Sequence, residues 1–146
     1  MNHAAWCGGF LLAATLLSSP PPRSLPVVTI VGTDYAFQIP ARIRPGPTLI
    51  AFENRGTVHH EMAIALLRPG VSVDSALQGL ARGTRRRDVI EGQAALIVAA
   101  PGEAPGPRLW LDLHRGRTYL VSCILRDAPD KPPHVTLGMM GSFSPN

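Results

Sequence analysis

The stretch that decides the fold runs from Thr118 to Phe143, TYLVSCILRDAPDKPPHVTLGMMGSF. Its first eight residues, Thr118 to Leu125, are β-branched, aromatic and aliphatic, the composition of a buried strand. Its last four, Met140 to Phe143, read as a closing strand. Between them lies a loop rich in Pro and Asp that carries a cysteine at one end and a histidine and a methionine at the other.

Working outward, the same rhythm fills the chain. Val27 to Val31 is a short β-branched run stopped by Gly32. Tyr35 to Phe37 is halted by Pro40, and Thr48 to Phe52 follows the turn Arg44-Pro45-Gly46-Pro47. Asn54-Arg55-Gly56 is turn chemistry, since Asn and Gly tolerate positive φ. Met62 to Leu67, Ala94 to Ala99 and the alternating Arg108 to Leu113 complete the strands. The segment Ser72 to Ala81 breaks the pattern: Val73, Leu77 and Leu80 recur at helical spacing, so one short helix is expected there. Arg85-Arg86-Arg87 reads as a solvated connector. Trp110 is expected in the core and His114 at the surface. Seven to eight short strands in about 120 residues imply an all-β Greek-key sandwich, with one short helical insertion. Residues 27–146 form that domain.

Composition agrees and excludes alternatives. Of 146 residues, Gly 14 and Pro 15 make about a fifth, too many breakers for a helical bundle. The net charge of +4 is modest, and no basic helix interleaved with aromatics appears, which argues against nucleic acid. No G-x-S-x-G elbow is present, and nothing supplies an oxyanion turn beside a Cys–His pair, so an enzyme is not expected.

Residues 4–17, AAWCGGFLLAATLL, are uncharged but too few to span a bilayer. Residues 1–19 therefore read as a signal peptide, or else an apolar anchor, joined by the Pro-rich tether 20–26. The expected location is exported, periplasmic or extracellular, with a possible membrane tether. Removal of the leader takes Cys7 with it. Cys123 is then a lone thiol in an oxidising compartment, and needs burial, pairing or a metal to stay reduced.

His60, Cys123, His134 and Met139 fall at strand ends or in loops. Two imidazoles, a thiolate and a weak thioether suit copper in either oxidation state, and no carboxylate cluster near them in sequence favours a hard cation. His59 and His60 point to opposite sides if extended, and Met139 and Met140 pose the same choice. Glu61 is expected to hydrogen-bond or face solvent rather than ligate.

Asn54-Arg55-Gly56-Thr57-Val58-His59-His60-Glu61 resembles the first copper-ligand loop of cupredoxins of the plastocyanin/azurin type. Tyr119 to Cys123, with Pro133-His134-Val135-Thr136-Leu137-Gly138-Met139, resembles that family's second loop. The resemblance covers about Val27 to Phe143. It implies one mononuclear copper held by His60, Cys123, His134 and Met139, single-electron transfer with an unknown redox partner protein, and His134 as the electron's route. It departs in one place. Ten residues, ILRDAPDKPP, separate Cys123 from His134, where most blue-copper loops have two to four. Lengthening a loop from about four to about eleven residues adds roughly 0.9 kcal/mol of closure entropy, and a less preorganised site is the expected consequence. A metal-free cupredoxin-fold module for interaction or assembly is the rival reading.

Overall fold

A computed structural model describes residues 24–104 and 106–146, apart from the side chains at 80, 81, 93 and 94. Residues 1–19, read from sequence as a signal peptide or apolar anchor, with Cys7, and most of the segment 20–26 read as a tether lie outside the described residues. Among those described, no helix is long and apolar enough to cross a membrane.

Eight strands form two four-stranded sheets. The first contains β1 (Val27–Thr33), β2 (Ala36–Gln38), β3 (Gly46–Asn54) and β6 (Leu109–Leu113), in the order β2-β1-β3-β6. The second contains β4 (His60–Leu67), β5 (Ile90–Ala99), β7 (Tyr119–Ser122) and β8 (Met140–Phe143), in the order β5-β4-β7-β8. Among the described residues only β1 and β3 pair in parallel, with Val27 opposite Leu49. The chain changes sheets after β3, β5 and β6, which is the expected all-β sandwich wiring. Ile30, Ile50, Phe52, Met62, Ile64 and Val121 fill the space between the sheets.

Strand β4 is buried along almost its whole length instead of alternating. Its second face is covered too: Ala65 and Leu67 pack with Ala76, Val89 and Ile90 in a satellite cluster under the helices. Those helices are α1 (Val73–Ala81), where the helical spacing predicts one, and α2 (Arg86–Val89). The connector reading of Arg85-Arg86-Arg87 is thus half right. The three arginines are exposed, yet two of them open a short helix that turns Val89 into the satellite cluster. A 3-10 turn over His134–Leu137 is the third helical element, so one insertion becomes three.

Trp110 is a correction. It is 58% exposed, because the two-residue period of β6 sends Leu111 and Leu113 inward and leaves Trp110 and Asp112 outside. The strand read over Thr118 to Leu125 is also shorter than its composition suggests. Pairing stops at Ser122, where the buried Glu61 carboxylate accepts from the Ile124 amide at 3.0 Å in place of a strand carbonyl.

Candidate metal centre

His60 opens β4, Cys123 follows the end of β7, His134 begins the 3-10 turn, and Met139 immediately precedes β8. All four sit at one end of the sandwich, and each is buried at 1% exposure or less. The ligand atoms of His60, Cys123 and His134 lie within 4.8 Å of one another. His134 Nδ1 is 3.2 Å from His60 Nδ1 and 3.4 Å from Cys123 Sγ. Of the adjacent histidines, His59 is exposed and His60 is buried within the cluster. His114 is at the surface as expected.

The first loop is held by Asn54. Its buried amide donates to the carbonyls of Val58 at 2.8 Å and Ala99 at 3.1 Å, and its carbonyl oxygen accepts from the Gly56 amide at 2.8 Å. That Asx turn presents His60 at the strand start. Gly56 is required here for space, not for positive φ, which it does not adopt. A Cβ at Gly56 would collide with the Asp34 carboxylate and lie 2.7 Å from His60 Nε2.

The second loop is threaded back through the backbone. Cys123 N–H donates to Met139 O at 3.2 Å, and Met139 N–H to His134 O at 3.0 Å. Gly138, with φ of 107°, makes the turn between them possible. Met139 is fully buried, and a Cβ at Gly32 would lie 3.3 Å from its methyl group and 2.9 Å from the Phe52 ring. Cys123 Sγ accepts from the Glu61 amide at 3.3 Å. Burial pushes the thiol above its ordinary pKa, opposed by hydrogen bonds from the amides of Glu61 and Leu125.

The long Cys-to-His insertion is not slack. His134 N–H donates to Leu125 O at 2.8 Å, Lys131 N–H to Ala128 O at 3.0 Å, and the Arg126 guanidinium reaches the Lys131 carbonyl. The expectation of a less preorganised site meets a loop pinned at both ends and across its middle.

Three residues of the site escaped the sequence reading: Asp34, Tyr35 and Asp127. Asp34 and Tyr35 form the β1–β2 turn. Tyr35 adopts φ of 60°, the one positive-φ residue other than glycine among those described. The Tyr35 ring meets that of His134 edge-on at 5.1 Å. Asp34 Oδ1 stands 3.4 Å from His60 Nε2, while Asp127 Oδ1 is 2.9 Å from His134 Nε2. Tyr35 donates its hydroxyl to the other oxygen of Asp127 at 2.6 Å. Hydrogen bonds from the amide and hydroxyl of Thr57 hold the Asp34 carboxyl below its usual range, and the Tyr35 hydroxyl does the same for Asp127. That same bond raises the Tyr35 phenol. The carboxylates absent from the neighbourhood in sequence are therefore present in space, but behind the imidazoles rather than among the donors. Only long-range pairing brings them there: Asp34 is 26 positions from His60.

Their placement tests whether a cation fits. A carboxylate can only accept, so the Asp127 contact assigns His134 the Nε2–H tautomer with its Nδ1 lone pair turned inward, and the longer Asp34 contact favours the same at His60. Two such lone pairs face each other at 3.2 Å with a sulfur 3.4 Å from one of them. The thiol proton can serve one nitrogen but not both. Burial holds His60 below its usual pKa, against a shared proton. A cation about 2.0–2.1 Å from nitrogen and 2.3 Å from sulfur, at tetrahedral angles, spaces its donors by roughly 3.3–3.6 Å. The His60–His134 and His134–Cys123 spacings, 3.2 and 3.4 Å, are close to that. The donor set and its geometry fit a borderline or soft metal ion.

A hollow of about 250 Å³, lined by Thr57, Val58, His59, Pro101, Arg126 and Asp127, opens to solvent beside the two loops. His134 itself is 1% exposed. The route expected through it therefore has no open imidazole edge; its outer nitrogen ends on Asp127.

No known family's sequence model matches the chain, and no curated protein matches it. Solved structures do. Na-dithionite-reduced auracyanin from the photosynthetic bacterium Roseiflexus castenholzii superposes with a TM-score of 0.52 at 18% identity, over 82% of this chain and 96% of that one. Auracyanin B superposes with a TM-score of 0.51 at 16% identity, over 90% and 93% of the two chains. These likenesses show the fold, a cupredoxin sandwich.

Proposed function

We propose that the chain is an exported cupredoxin-like copper protein that carries single electrons. The observation that carries this reading is the buried approach of the His60 and His134 Nδ1 atoms to 3.2 Å beside the Cys123 sulfur, an arrangement that a bound cation makes favourable. His60, Cys123 and His134 would hold the metal, with the buried Met139 as the weak fourth ligand. Copper supplies a one-electron couple, for which soft sulfur favours Cu(I) and imidazole accepts Cu(II).

The chain's own part is to hold still. His60 is fixed by the Asn54 turn and Cys123 by the Glu61 amide. Both lie at strand ends of a packed sandwich, so the ligands need little movement between oxidation states. Burial keeps water from the sulfur and answers what protects a lone exported thiol. A partner protein would meet the site at the hollow beside His59, Arg126 and Asp127. Export rests on the apolar leader of residues 4–17.

Titration of the protein with Cu(II) tests the reading. One equivalent should develop an intense visible thiolate-to-copper band that bleaches on reduction, returns on oxidation and is absent in Cys123→Ser. A protein that stays colourless and binds no copper returns the chain to the rival reading, a metal-free interaction module.

A further inference from the structure

The ten-residue insertion is the feature least like a short blue-copper loop, and it delivers one side chain to the metal centre. Asp127 lies four residues after Cys123 and seven before His134. Its carboxylate bridges two groups: it accepts from His134 Nε2 at 2.9 Å and from the Tyr35 hydroxyl at 2.6 Å. Tyr35 is held in a left-handed backbone conformation at the β1–β2 turn. Such strain persists where the surroundings fix it. The phenol thus anchors the insertion to the other sheet, and the insertion in turn clamps the imidazole. Arg126 is turned away from this carboxylate onto the Lys131 carbonyl, so Asp127 bonds His134 and Tyr35 without that cation between them.

We propose that Asp127, anchored by Tyr35, is a positioning residue that locks His134 in the Nε2–H tautomer and biases the bound metal toward its more highly charged state. This rests on the copper reading above. The physical argument has two parts. A carboxylate on the outer nitrogen fixes ring orientation and tautomer, which leaves Nδ1 free to ligate. The same negative charge makes the imidazole a stronger donor, and a stronger donor stabilises Cu(II) more than Cu(I). Asp34 stands behind His60 in the equivalent place, but at 3.4 Å and with its oxygens engaged by Thr57, so its effect is the smaller. The insertion therefore sets the reduction potential as well as spanning a gap.

The test compares the wild-type protein with Asp127→Asn and Tyr35→Phe. Asn keeps the shape and an accepting oxygen but removes the charge. Cu(II) affinity should fall about 10- to 100-fold in Asp127→Asn, as for other outer-sphere partners of metal-bound histidine. Cu(I) affinity should fall less. Each tenfold difference between the two losses raises the reduction potential by about 59 mV. Tyr35→Phe should move the potential in the same direction by a smaller amount. In the metal-free protein, ¹⁵N chemical shifts of His134 should report the Nε2–H tautomer in wild type and a mixture in Asp127→Asn. The melting temperature of the metal-free variant, unchanged, separates this from misfolding. If Asp127→Asn melts early, Tyr35→Phe and the tautomer in wild type decide alone. A wild type that binds copper while both variants keep its potential overturns the inference and leaves the copper reading standing. A wild type that binds no copper overturns both.

Discussion

The two loops that build the metal centre reach it by opposite means. The first, residues 54–60, is short and fixed from within: one buried asparagine bonds Gly56, Val58 and Ala99, and the histidine follows at the strand start. The second, residues 123–139, is long and needs, besides its own backbone bonds, an anchor from outside. Asp127 is tied to Tyr35 of the other sheet, and backbone bonds return Met139 to both Cys123 and His134. A short loop can be specified by its own residues. A long one needs an anchor elsewhere in the fold, and that anchor is invisible from within the loop.

The largest effects should fall equally on both halves if the metal needs both. Copper binding only to the native state at a thousandfold excess over its Kd contributes about 4 kcal/mol. For a domain of this size that is a rise of roughly 10–20 °C in Tm. His60→Ala and His134→Ala should each abolish the rise while the metal-free proteins still melt cooperatively, as scanning calorimetry with and without copper would show. A rise retained in His60→Ala alone would break the equivalence of the loops and leave Cys123 and His134 as the binding pair.

The same contrast explains what the sequence disclosed. Strands β1, β3 and β4 were legible because β-branched and aliphatic runs ended at Pro, Gly or Asn. That His60, Cys123 and His134 would gather was legible because two imidazoles and a thiol fall together at strand ends and loops. Asp34, Tyr35 and Asp127 were not. An aspartate in a turn or a polar loop is ordinary, and nothing local says that Asp34 will meet a ring 26 positions away. Trp110 misled for a different reason: its size suggested burial, while the period of its strand, already visible in Arg108 to Leu113, sent it outward. Periodicity outranked residue type.

A middle-sized effect separates internal from external fixing. Asn54→Ala removes three hydrogen bonds, one of them fully buried. The expected loss is about 2–4 kcal/mol in the metal-free protein, read by urea denaturation. Thr136→Ala, which removes an exposed hydroxyl bond to the Pro133 carbonyl in the second loop, should cost under about 1 kcal/mol. Equal losses would mean that the second loop leans on its own side-chain bonds as much as the first does.

The smallest effects lie in two glycines that look alike in sequence and differ in cause. Gly138 needs its φ of 107°, and a Cβ there would meet nothing nearer than the Tyr35 carbonyl at 3.7 Å. Gly56 has no positive φ, but a Cβ would strike Asp34 and His60. Alanine should cost about 1–3 kcal/mol at either site, by backbone strain at 138 and by crowding at 56. Asparagine tells them apart. It tolerates left-handed backbone, so Gly138→Asn should recover part of the loss seen with Ala. At 56 a larger side chain can only crowd further, so Gly56→Asn should be no better than Gly56→Ala. Urea midpoints of the four metal-free variants measure this directly. Recovery by Asn at both positions would show that the first loop, too, is governed by backbone conformation, and that Asp34 does not have to stand so close behind His60.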